Sequence, residues 1–205
     1  MRRVFLLSPA STAGKRARLL LNPKAKFALA QRVRQPEGES IGEIFTFLSG
    51  LYFRGKLSYA RAFAAPDGIR VITSDRGLVP PEQRLTLADL RSMARGSIDP
   101  DSRRYRLPFL RDARALDDPG VEVVLLGSIA TGKYADLLLE VFGERLVFPE
   151  RFVGRGDMSR GGLLLRAVRE NQELVYAPLA RAVRHGPKPP RLSPVPGILR
   201  AALGA

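Results

Sequence analysis

Val121-Glu122-Val123-Val124-Leu125-Leu126-Gly127-Ser128-Ile129-Ala130-Thr131-Gly132-Lys133-Tyr134-Ala135-Asp136-Leu137-Leu138-Leu139 reads as strand, turn and helix in immediate succession. Its first six residues are apolar apart from Glu122 and half of them are β-branched, the pattern of a parallel strand covered on both faces. Gly127 ends the run, and Ser128 to Gly132 is small and polar. From Lys133 onward the apolar residues Tyr134, Leu137, Leu138 and Val141 recur at helical spacing. α/β proteins place ligands at such strand ends, where free amides at the helix start attract anions.

The spacing Gly127-x-x-x-x-Gly132-Lys133 nearly spells a phosphate-binding P-loop. That motif requires Ser or Thr next, as the magnesium ligand. Tyr134 stands there instead, and no acidic partner strand follows. The stretch is therefore read as the wall of a polar pocket carrying Ser128, Thr131, Lys133 and Tyr134, without nucleoside triphosphate hydrolysis.

A second unit of the same kind opens the chain. Arg3 to Leu7 is a short apolar strand, Ser8-Pro9-Ala10-Ser11-Thr12-Ala13-Gly14 a small polar loop, and Lys15 to Leu21 the start of a helix. Ser8, Ser11 and Thr12 supply hydroxyls at the same sheet edge as Gly127. Ile69 to Thr73 is a third strand, whose following loop carries Asp75 and Arg76 as either a local ion pair or ligand-orienting groups. Arg145 to Phe148 is a fourth short strand. Beyond it, Arg155-Gly156-Asp157-Met158-Ser159-Arg160-Gly161-Gly162 reads as a loop that allows close backbone approach. Arg155 and Arg160 suit a phosphate or carboxylate.

Between these units, Ile41 to Leu48 and Lys56 to Ala64 have helical spacing. Tyr52, Phe53 and Tyr59 read mainly as core residues. Thr86 to Met93 is a helix capped by Thr86, and a further helix spans about Arg106 to Leu116. The whole predicts one α/β domain over residues 1–179, with a mixed or mostly parallel sheet of about five strands and helices on both faces. Residues 180–205, with five prolines among arginines, read as an extended basic tail with a short helix at Gly197–Leu203.

Composition narrows the chemistry. The 205 residues include no cysteine and one histidine, His185, which argues against thiolate or zinc sites and a Ser-His-Asp triad. No metal or organic cofactor is expected. No apolar run approaches the ~18 residues that span a bilayer. Arg2-Arg3 before Val4–Leu7 is too short for a secretion signal, so a cytoplasmic protein is expected.

The net charge of +14 sits at the two ends of the chain. Residues 1–34 hold nine Lys or Arg and residues 174–205 hold five, with no acid in either stretch, while the middle balances 20 against 20. Such pooling is an electrostatic footprint for nucleic acid. The expected phosphate contacts are Arg2, Arg3, Lys15, Arg16, Arg18, Lys24, Lys26, Arg32 and Arg34, joined by Arg181, Arg184 and Arg191.

Five of these stretches, in order over residues 4 to about 171, resemble the YaaA family of peroxide-stress proteins. Leu7-Ser8-Pro9-Ala10-Ser11-Thr12 is similar to that family's Ser-Pro-Ala-Lys-Thr loop. Ser49-Gly50-Leu51-Tyr52 resembles its Ser-Gly-Leu-Tyr motif, and Gly77-Leu78-Val79-Pro80 its Leu-x-x-x-Pro stretch. Gly127-Ser128-x-Ala130-Thr131-x-Lys133-Tyr134 is similar to its Leu-Ala-Ser-x-Glu-Tyr turn. Arg155-Gly156-Asp157-Met158-Ser159-Arg160 is similar to its Ala-Arg-Gly-x-Met-Ser-Arg motif. A looser likeness is to small α/β domains of unknown function, which look related to the uracil-DNA-glycosylase-like domain of archaeosine synthases. The chain departs from the YaaA pattern at Ser11, where the family has Lys, and at Lys133, where it has an acid. It also lacks a central segment that carries the family's helix-hairpin-helix-like DNA element.

The resemblance implies a DNA-binding protein linked to oxidative stress or DNA damage, and so DNA rather than RNA, while the charge map points independently to nucleic acid. The alternative is a metal-independent enzyme acting on a nucleobase or nucleoside, of glycosidase or base-transfer type. There Asp75 or Asp157 serves as general base or stabilises an oxocarbenium-like centre. Tyr52 or Tyr134 stacks on the base. The remaining ligand contacts are Ser8, Ser11, Thr12, Ser128, Thr131, Lys133, Arg155, Ser159 and Arg160.

Overall fold

The computed structural model describes residues 2–192. Six strands form one sheet: β1 (Arg2–Leu7), β3 (Ile69–Ile72), β4 (Leu78–Val79), β6 (Val121–Leu126), β7 (Leu146–Pro149) and β8 (Tyr176–Pro178). Their spatial order is β4-β3-β1-β6-β7-β8. The inner four run parallel, and β4 and β8 add antiparallel edges. Strands β2 (Glu39–Ser40) and β5 (Arg84–Leu85) form a separate two-stranded ribbon. The expectation of one α/β domain with a mostly parallel sheet holds. The sheet has six strands where about five were expected, and the strands the sequence did not show, β2, β4, β5 and β8, have two or three residues each, too short to show a period.

Eight α-helices connect the strands among the described residues: α1 (Lys15–Leu21), α2 (Ala28–Arg34), α3 (Ile41–Ser49), α4 (Leu51–Phe63), α5 (Leu87–Ala94), α6 (Arg103–Ala115), α7 (Gly132–Phe142) and α8 (Asp157–Glu170). Thr86 caps α5 in a reciprocal box with Asp89, as its position predicts. Helix α4 begins five residues before the predicted start, so Tyr52 and Phe53 belong to it. Helix α8 begins at Asp157, so six of the eight residues from Arg155 to Gly162, read as a loop, are helix.

The chain leaves β1 for β3 on one side and later places β6 on the other side of β1. The β1/β6 boundary is therefore the topological switch point, whose carboxyl edge opens into a crevice. Phe5, Leu6 and Leu7 of β1 and Val123 to Leu126 of β6 are completely buried, making this pair the centre of the core. Helices α4 and α8 pack closely together, and α6 packs against α7.

The α4–α8 crossing depends on two facing glycines. A Cβ at Gly55 would lie 2.8 Å from the Gly161 carbonyl oxygen, and one at Gly161 would lie 2.8 Å from that of Leu51. Only hydrogen fits between backbones this close. The tail leaves β8 through Leu179, which is buried, and its described part stays on the domain. The Pro187 carbonyl lies against Gly154, and Leu192 packs on the core. The helix expected at Gly197–Leu203 lies outside the described residues.

Candidate functional site

The loops after β1 and β6 meet the first turns of α4 and α8 around a cleft of about 540 Å³. Its lining includes Ser8, Ser11, Tyr52, Ser128, Thr131, Lys133, Tyr134 and Asp157. Eight of the thirteen sequence-nominated ligand and catalytic residues thus converge from four separate stretches. The sheet brings them together, because β1 and β6 pair in register from Arg2–Val121 to Leu7–Leu126. Ser8 follows β1 directly, and its amide donates to the Leu126 carbonyl at 3.1 Å.

Gly127 permits the next approach. A Cβ there would sit 2.9 Å from Ser8 Cβ and 3.0 Å from the Tyr134 hydroxyl. Tyr134, on the first turn of α7, reaches back over this gap. Burial pushes its phenol up, while hydrogen bonding to Ser8 and to the Ser128 backbone opposes that rise.

Beneath Ser8 lies a residue that the sequence reading missed. Lys56 is 0% exposed. Its Nζ donates to the Ser8 carbonyl at 2.5 Å and to Ser8 Oγ at 2.8 Å. The rings of Tyr52 and Phe53 lie 4.4 and 4.9 Å from the same nitrogen. Among the described residues no carboxylate pairs with it. Burial, with Arg160 adding repulsion, pulls Lys56 down to about 7, and Asp157 only partly offsets this. A signal was present in the sequence. Tyr52, Lys56, Tyr59 and Phe63 share the spacing of one helix face, so Lys56 interrupts an otherwise apolar stripe.

Arg160 is a second buried cation, close to Tyr52 and Lys56. Its Nε and Nη2 donate to the Phe152 carbonyl at 3.2 Å each, and Nη1 lies 3.6 Å from an Asp157 carboxylate oxygen. Asp157 itself is well exposed at the start of α8. The Tyr52 hydroxyl is buried without a hydrogen-bond partner, and that burial drives its pKa well up, with the charge of Arg160 pulling the other way. Tyr52 is 4% exposed and packs on Lys56 and Phe152, so it has no free ring face for a base. Tyr134 is 7% exposed and likewise offers its hydroxyl to the cleft rather than its face. The stacking role expected of both is corrected here.

Other nominated residues stand elsewhere. Asp75 does not reach the cleft. Ser92 donates to it at 3.1 Å and Arg104 at 3.0 Å, while Arg76 lies 3.8 Å away and bonds Asp89 at 2.5 Å. Held by two cations, it is a structural carboxylate rather than a free base. Thr12 lines an adjoining hollow, with Ser74, Met93 and Gly96 opposite it. Arg155 turns away to Ser159 Oγ at 3.1 Å and the Pro190 carbonyl at 3.3 Å, pinning the tail. Arg155 and Ser159 thus belong to the tail anchor, because α8 starts between them and the cleft residue Asp157 stands alone on that turn. Among the described residues no three His, Asp or Glu side chains gather as a metal ligand set.

The basic residues divide by whether acids meet them. Arg3 sits between Glu122 and Glu173, at 2.7 and 2.5 Å. Arg32 pairs with Glu39 at 2.5 Å, Arg181 with Glu144 at 3.2 Å, and Arg184 with Asp136 at 2.7 Å. Arg34 donates to the carbonyls of Ala25 and Asn22. These five have partners within the fold, so they are not the free cations that the charge map suggests, although the side chains of Arg32 and Arg181 stay exposed. Arg2 and Arg3 also lie at the amino end of β1, one strand length (about 20 Å) from the cleft edge. Arg191 is exposed near the end of the described chain. Among the described residues, the exposed Lys15, Arg18, Lys24 and Lys26 have no ion pair, and Arg16 donates to the Phe47 carbonyl at 3.0 Å. These five belong to α1 and the turn after it, which continue directly from the Ser8–Gly14 cleft loop.

Comparison of the chain with protein-family models, with curated proteins and with solved structures returned no match.

Proposed function

We propose that this protein binds nucleic acid along the flank formed by α1 and the turn before α2. The observation that carries this reading is the cluster of Lys15, Arg16, Arg18, Lys24 and Lys26 on one short stretch, for which the described residues offer no ion pair. Phosphates are the natural counter-charges for such a surface. Because the segment carrying the YaaA DNA element is absent from this chain, the reading rests on this charge pattern alone. Contacts of this kind give affinity with little sequence information.

The test is fluorescence anisotropy with single- and double-stranded DNA and with RNA at two salt concentrations. Binding is expected to weaken steeply with salt, and Lys15→Glu with Arg18→Glu is expected to weaken it at least tenfold. Affinity unchanged by that double substitution at low salt would refute the flank as the contact surface.

A second reading has its own support. The cleft beside this flank holds an unpaired buried lysine against a cleft-lining serine, an arrangement that fold stability alone disfavours. We infer that the cleft is a reaction site for a nucleoside-containing substrate delivered by the basic flank. Asp157 remains the carboxylate available to it. Denaturing gels and nucleoside chromatography after incubation, comparing the wild type with Asp157→Asn and Ser8→Ala, test for turnover. No cleavage or base release from any of these polymers would sink this second reading.

A further inference from the structure

We propose that Ser8 Oγ is a nucleophile toward phosphorus in a phosphate ester and that Lys56 Nζ is its general base. The inference rests on reading the cleft as a reaction site. Ser8 lines the cleft at the switch point, and Lys56 stands directly behind it at 2.8 Å. A buried amine next to a hydroxyl is the arrangement of a Ser–Lys pair. The groups facing Lys56 are few: Ser8 from the β1 edge, Tyr52 and Phe53 from its own helix, and Asp157 and Arg160 from α8. None is a carboxylate in contact, so nothing locks the amine in its charged form. With a pKa near 7, it is substantially neutral at physiological pH.

Two features select phosphoryl over acyl transfer. Serine acyl enzymes commonly use the nucleophile's own amide as an oxyanion donor. Here that amide is already spent on the Leu126 carbonyl. The lining instead carries the ammonium of Lys133 together with one carboxylate, Asp157, whose charge Arg160 offsets from behind at 3.6 Å, beside α7, whose cap Thr131 makes no side-chain bond to the helix amides. An anionic substrate matches that environment.

In the step itself, neutral Lys56 takes the Ser8 Oγ proton as Oγ bonds to phosphorus. The opposite phosphorus–oxygen ester bond breaks, and the leaving oxygen takes a proton from solvent in the open cleft. Water then attacks the phosphoserine. The phosphorus–Oγ bond breaks, Oγ recovers its proton from Lys56, and the water's proton passes to solvent.

The test uses a fluorophosphonate probe, which offers phosphorus directly and needs no known substrate. Peptide mass spectrometry is expected to place the adduct on Ser8. The labelling rate should rise about tenfold per pH unit below 7 and level off above about 8. Ser8→Ala should abolish labelling and Lys56→Met should slow it at least 100-fold. Thermal unfolding checks that Lys56→Met is folded, and if it is not, the wild-type pH profile decides alone. No adduct, an adduct elsewhere, a flat pH profile, or full-rate labelling of folded Lys56→Met overturns the proposal. Anisotropy on the same samples separates the claims: labelling without nucleic-acid binding sinks only the flank, and binding without labelling sinks only the Ser8–Lys56 pair.

Discussion

The loops after β1 and β3 leave neighbouring strands at the same sheet edge, yet they treat a buried charge in opposite ways. After β3, Asp75 Oδ2 accepts from Ser92 and Arg104, and Arg76 stands 3.8 Å from its other oxygen, which has no hydrogen bond. After β1, Lys56 reaches Ser8 and meets only a carbonyl, a hydroxyl and two aromatic rings. A charge with partners stabilises its surroundings or leaves them neutral, whereas an unpartnered one costs stability. The two regions thus distinguish a charge kept for structure from one that structure does not explain, and residue type alone would have assigned them the other way round.

The largest expected effect falls on the unpartnered side. Lys56→Met should stabilise the protein at pH 7, on the order of 3 kcal/mol, read by urea unfolding. The sign follows from proton binding. Lys56 has its pKa lowered from 10.5 to about 7 in the fold. Between those values the unfolded chain holds the proton and the folded one does not, so wild-type stability rises with pH across that window. The advantage of Lys56→Met should be full below pH 7 and shrink toward pH 10. An advantage independent of pH would mean that Lys56 is not carrying the burial cost.

A smaller effect should come from the crossing that holds the floor together. Gly161→Ala drives a methyl to within 3.0 Å of the Leu51 and Tyr52 backbone, with no flexible side chain to yield. A loss of about 2 kcal/mol is expected. Because α8 carries Asp157 and Arg160, fluorophosphonate labelling should slow as well. Labelling untouched at equal destabilisation would show that the cleft does not depend on this contact.

On the partnered side, Asp75→Ala should destabilise by about 1–2 kcal/mol, the usual result of stranding hydrogen-bond partners. Labelling of Ser8 should remain at the wild-type rate. Slower labelling would return Asp75 to the site and erase the contrast. The smallest stability change belongs to the flank: Lys15→Glu with Arg18→Glu should leave stability within about 0.5 kcal/mol, since both are exposed, while nucleic-acid affinity falls as described above.

Much of this was legible in the chain. The apolar runs at Val4–Leu7 and Val121–Leu126 announced two central parallel strands, and the small polar residues after each located the cleft. Periodicity alone sufficed, because strands buried on both faces must be continuously apolar. The acid-free first 34 residues announced a basic flank, and the capping pattern at Thr86 fixed a helix start. Strands of two residues stayed hidden, since two residues carry no period.

Only the tertiary structure decided which charged groups are free. Charge is a property of residue type, but its effect depends on partners far away in sequence: Arg3 finds Glu122 and Glu173, Arg184 finds Asp136, and Asp75 finds Arg104. Lys56 finds Ser8, 48 residues earlier, because β1 ends over the face of α4 that the lysine interrupts. Local sequence determined the elements and the sheet edge where the loops gather. Long-range packing determined that the carboxylate after β3 is held in place while the amine behind Ser8 is left without a counter-ion.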